Sequence, residues 1–243
     1  MKSPFWELWK NEFKNGRYGL FIALSVFIAW DVFLYTRLSS WNQDMVFGLS
    51  FVPIVFLPIY ALISGFSSFR QEWSEKRIPL LLSLPVRGTL LTGVKLLSIF
   101  IDILIFTTAM MMGVSILALH ILPFAVPWKI WFQIDLIISL VMFLMSIISQ
   151  FAFLAGRMVH RFQWLVSLWV FLLSLWGLAR FASLMTGLIH WLPAITIQGW
   201  QGETVNVFPQ LIRIESAPIV SLVIGFLILY FIESWFLEKC IEK

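Results

Sequence analysis

The chain has 243 residues, of which 60% are hydrophobic and 12% charged, and its formal net charge is +4. Soluble domains carry about 25% charged side chains, and a mean hydropathy of +0.91 excludes that class here. Basic residues are dispersed between apolar runs, which argues against a nucleic-acid partner, and a single cysteine, Cys240, forms no internal disulfide.

Residues 3–15 are expected to form an amphipathic helix in the membrane interface. Ser3 and Pro4 suit an N-cap and first helical position. Phe5, Trp9 and Phe13 recur every four residues, with Glu7, Lys10, Glu12 and Lys14 on the remaining surface. No cleavable leader is expected, because the first apolar run passes into Asp31 without a small-residue cleavage site.

Six spanning helices follow, at about Tyr18–Tyr35, Met45–Phe69, Leu96–Leu119, Ile130–Ala155, Phe162–Ala182 and Ser216–Leu237. The runs are long and continuous rather than alternating, so an all-α, polytopic fold is expected instead of a barrel. With the N-terminus inside, thirteen of the 17 Lys and Arg residues fall on the inner side. Arg37, Lys129, Arg180 and Arg213 remain outside. The positive-inside rule then places both termini in the cytoplasm. The whole chain reads as one transmembrane domain, with an inner loop at 70–95 and an outer loop at 183–215. Trp191, Trp200 and Phe208 make the outer loop an apolar-anchored element.

Catalytic and nucleotide motifs are not met. The nearest approach to a phosphate loop is Gly88-Thr-Leu-Leu-Thr-Gly93, but Val94 stands where lysine is needed and no strand precedes it. The histidines, His120, His160 and His190, are assigned to three separate loops, with no H-E-x-x-H pair. Asp31, Asp102, Asp135 and Glu233 lie in or near apolar runs. They serve either a proton or cation path, or else structural pairing or snorkelling at a helix end. The structural roles are favoured because these acids do not converge on one depth, with Asp31 alone deep in its span. Pro53 and Pro58 break the second span. Together with Phe51 and Phe56 they mark either a packing kink or a candidate substrate path.

The inner loop is the distinctive stretch. Arg70, Glu72, Glu75, Lys76, Arg77 and Arg87 surround a short apolar block, Leu80-Leu81-Leu82-Ser83-Leu84-Pro85. Such a block is far shorter than the roughly 20 residues that cross a bilayer. Displayed among charges, it calls for a membrane surface or a docking partner.

This string, running on through Val86, Arg87 and Gly93-Val94-Lys95-Leu96-Leu97, resembles the cytoplasmic loop of ATP-binding-cassette (ABC) exporter permeases of the second type. Arg77-Ile78-Pro79 stands where that family often has Gly-Thr, and Val94 splits its usual Gly-Lys pair. The resemblance implies a non-catalytic permease subunit of a bacterial cytoplasmic membrane, paired with a second copy or a sister permease. Two separate ATPase subunits would carry ATP and magnesium, this chain holding no cofactor. Arg70, Glu72, Glu75, Lys76, Arg77, Leu81, Leu82, Leu84, Pro85 and Arg87 would form the coupling element. An amphipathic peptide antibiotic, drug or lipid is the implied cargo. Two other readings fit the same loop: a membrane-embedded sensor or assembly protein that docks a soluble regulator, and an ion-coupled secondary transporter using the acidic residues.

Overall fold

The computed structural model describes residues 4–74, 88–121, 128–159, 161–189, 191, 193, 195–199, 210–214 and 216–241. Its helices are α1 (Pro4–Arg37), α2 (Gln43–Ser50), α3 (Val52–Ser74), α4 (Gly88–Ile121), α5 (Trp128–Arg157), α6 (Gln163–Leu188) and α7 (Ser216–Ile241), and its strands are β1 (Ile195–Gly199) and β2 (Gln210–Ile214). Six helical stretches are long and apolar enough to cross a membrane, with α2 and α3 together supplying the second.

The expected surface helix and first span form one uninterrupted rod, α1. Gly16 and Gly19 lower helix propensity, but no proline lies in the junction to stop the helix. The second span is broken at Phe51, beside Pro53, whereas α3 runs on through Pro58, which was expected to break it as well. Pro53 has no N–H to offer the carbonyl of Leu49, four residues back. That carbonyl accepts instead from the Trp30 indole of α1 at 3.2 Å. The break is thus closed by a tertiary bond.

Helix α4 is the spine of the bundle. It contributes to four buried clusters in succession: Leu91 with Phe69, Phe153, Leu154 and Leu237; Ile99 and Ile103 with Ala61; Phe106 and Met110 with Leu57; and Leu117 with Leu34 and Val46. The first cluster gathers the start of α4 with the ends of α3, α5 and α7. This is the loop end of the bundle, and the opposite side is the hairpin end.

Small and hydroxylated side chains let the helices approach. A Cβ on Gly65 of α3 would run into the Ser146 carbonyl oxygen of α5. One on Gly113 of α4 would overlap the Asp31 carboxylate of α1. Ser146 donates to the Ala61 carbonyl at 2.9 Å, and the buried hydroxyls of Thr107 and Ser139 lie 2.6 Å apart. In a bilayer, where apolar side chains gain little from one another over lipid, such contacts carry much of helix association.

The segment before α7 holds a two-stranded antiparallel hairpin rather than a wholly irregular loop. Ile195 pairs with Ile214 and Gly199 with Gln210. The β-branched alternation Ile-Thr-Ile suits a strand. Ser216 closes the base by donating to the Pro193 carbonyl at 2.7 Å.

Candidate functional site: the loop end of the bundle

Two structures are built at the loop end, a clamp and a cavity. The clamp joins the flanks of the 75–87 segment. Helix α3 continues to Ser74 and α4 begins at Gly88, so both helices reach well into the expected 70–95 loop. Lys95, expected in that loop, lies in α4 and is 2% exposed. Its ammonium donates to the Ser68 carbonyl of α3 at 2.6 Å and sits 5.0 Å from the centre of the Phe69 ring. Four carbons of side chain let the charge leave its own helix and reach a carbonyl of the next. On the other side, Tyr230 of α7 donates to the Thr89 carbonyl at 2.7 Å. Both helices that lead into the charged segment are therefore held to a common base.

Just beyond that base lies a polar level. Lys95, Gln150 and Glu233 each stand about one helical turn from the first cluster, counted from Leu91, Leu154 and Leu237. Gln150 and Glu233 are fully buried, as is Thr92. The Glu233 oxygens, both Gln150 amide atoms and the Thr92 and Ser234 hydroxyls have no hydrogen-bond partner among the described residues. Polar groups held this way cost free energy that opening of the helices to water would return.

The cavity lies between α3, α5 and α6 and has a volume of about 920 Å³. Phe66, Phe153, Leu168 and Phe171 form much of its wall, and Arg70 and Arg157 are its charged lining residues. Gly156 allows α5 and α6 to meet there, since a Cβ would strike Ser167 and the Gln163 carbonyl. The turn into α6 is made by Phe162, which has φ 58° and ψ 36°. A left-handed backbone at a bulky aromatic is strained, and such strain collects at functional sites. It turns a 70% exposed ring to the cavity mouth. Arg157 donates to the Gln163 side-chain oxygen at 3.0 Å and lies 5.1 Å from the centre of the Phe153 ring.

No family model, curated protein or solved structure matches this chain.

Of the expected coupling residues, Arg70 lies at the exposed end of α3 and lines the cavity. Glu72 is on the last turn of α3. Glu75, Lys76, Arg77, Leu81, Leu82, Leu84, Pro85 and Arg87 lie outside the described residues. On the candidate path, Phe51 and Phe56 are exposed on the bundle surface, Pro53 is buried and Pro58 half-buried. None of the four lines the cavity. Asp135 is buried and accepts from Thr108 of α4 at 2.9 Å, which makes it an interhelical tie. Of the three histidines, His120 lies within the last turn of α4, while His160 and His190 lie outside the described residues.

Gln150 and Gln163 were not singled out by the sequence, and Lys95 and Arg157 stood there only as charges of the inner side. The visible signal was one of composition: lysine and glutamine inside otherwise apolar runs, where each needs a partner.

Proposed function

We propose that this chain is the membrane-spanning, non-catalytic subunit of an ATP-driven exporter of the ABC type. It works as a pair, with a second copy or a sister subunit, on two separate ATPase subunits. Its cargo is an amphipathic compound, such as a peptide antibiotic, drug or lipid. Both termini and the 75–87 segment face the cytoplasm of a bacterial cell.

The clamp is the observation that carries this reading. A segment that only decorates the surface has no need of a rigid mount. Here both flanks are fixed: α3 through Phe69 and the Ser68 carbonyl, and α4 through Leu91 and Lys95. A push on the segment would move α3 and α4 as one body, carrying α5 and α7 through Phe153, Leu154 and Leu237. The polar level above the clamp supplies the second requirement, an interface that gains hydration when it opens. ATP would then shift the population between two arrangements, provided that the ATPase binds one of them more tightly.

A photo-crosslinker placed at Leu81 or Leu84 in the native membrane tests this. It should capture a nucleotide hydrolase. Charge reversal at Glu75 and Arg77 together should weaken co-purification of that hydrolase by about tenfold, equivalent to 1.4 kcal/mol of interface. Capture of lipid alone, or of a soluble protein without nucleotide-binding motifs, would overturn the reading.

A further inference from the structure

We propose that the cavity at the loop end of α3, α5 and α6 binds one anionic phospholipid. Its phosphate is held by Arg70 and Arg157, and its chains lie on the aromatic wall. The inference rests on the six helices being membrane spans and not on the ATPase partner, so the two proposals fail separately.

The chemistry of the lining selects this occupant. Two guanidinium groups and no carboxylate stand among the described lining residues, so the site is complementary to an anion. Guanidinium presents a planar fork of donors that matches phosphate oxygens in pairs. Arg157 is aimed before any ligand arrives: Gln163 holds one nitrogen at 3.0 Å, and the Phe153 ring lies 5.1 Å from the guanidinium carbon. The Gln163 amide orients that charge without neutralising it.

The remainder of the wall excludes a small soluble anion as the preferred guest. Leu62, Phe66, Leu168 and Phe171 present an apolar floor that free phosphate cannot use. About 920 Å³ exceeds the need of a headgroup alone; it lies near the top of the range for ligand pockets. The arginines stand at the ends of α3 and α5, at headgroup level, with the apolar floor running toward the bilayer middle. Phe162 and Trp164 border the mouth, both strongly exposed, where aromatic rings sit well between headgroups and chains.

The test uses the full-length protein reconstituted in phosphatidylcholine vesicles. Electron paramagnetic resonance then compares the motionally restricted fraction of spin-labelled phosphatidylglycerol with that of spin-labelled phosphatidylcholine. The wild type should prefer the anionic label. Arg70→Gln and Arg157→Gln should each reduce that preference by about fivefold. Arg157→Lys should recover only part of it, because lysine restores charge without the fork. Arg180→Gln, at the far half of α6, should leave it unchanged. If a variant fails to fold, competition on the wild type decides: unlabelled phosphatidylglycerol should displace the label and inorganic phosphate should not. Equal restriction of the two labels, or displacement by inorganic phosphate alone, would overturn the proposal.

Discussion

Helices α4 and α6 have nearly the same mean hydropathy, 2.1 and 1.8, yet 50% of the α4 span is buried and only 6% of the α6 span. Among the described residues, helix α4 packs against α1, α2, α3, α5 and α7, whereas α6 packs chiefly on α5 and α7. Their inventories explain the difference. Helix α4 buries Thr92, Lys95, Ser98, Thr107 and Ser115. Helix α6 exposes Trp164, Trp169, Leu173, Trp176, Leu184 and Leu188. In a bilayer, apolar character says that a helix spans; small and polar residues say what it touches.

That contrast can be broken by substitution. The largest effect is expected at Gly65, where packed helices meet. Gly65→Leu would force α3 away from the Ser146 backbone and should cost about 3 kcal/mol or prevent folding. A fall in the thermal unfolding midpoint in detergent, or loss of monodisperse protein, would report it. Next comes Lys95→Met, which keeps the apolar stem but removes the bond to Ser68. A charged hydrogen bond of this kind is worth roughly 2 kcal/mol, read from denaturant titration of the same preparation. The smallest effect belongs to α6. Nothing lies within 4 Å of a Cβ placed on Gly177. Gly177→Ala should therefore raise stability, by under about 1 kcal/mol, through helix propensity alone. A loss there comparable to the Gly65 effect would show that α6 is as tightly packed as α3 is against α5.

The six apolar stretches were legible because hydropathy is a local sum over about 20 residues. The break in the second span was legible for a similar reason: a proline states its own missing donor. Its repair by Trp30 was not, since that indole lies nineteen residues earlier and only tertiary packing brings it to Leu49. Sequence alone assigns Lys95 to the loop, because a charge ordinarily ends a span. What held it inside was the Ser68 carbonyl, a partner with no mark in the sequence. The hairpin was hidden differently. Trp191, Trp200 and Phe208 drew the reading toward the membrane, while the quieter β-branched alternation of 195–199 and 210–214 set the backbone. The cavity has no local signature at all. Arg70 and Arg157 were each visible as basic residues, but only the bundle brings them to one cavity.

The continuity of α1 has a mechanical outcome. Its 34 residues make a rod about 51 Å long, against a hydrocarbon layer of about 30 Å. No joint separates the charged, tryptophan-bearing third from the part that packs on α4. Whatever steers the protruding arm, whether lipid headgroups or a neighbouring subunit, therefore also sets the tilt of the opposite arm. The N-terminal third acts as a tiller for the bundle.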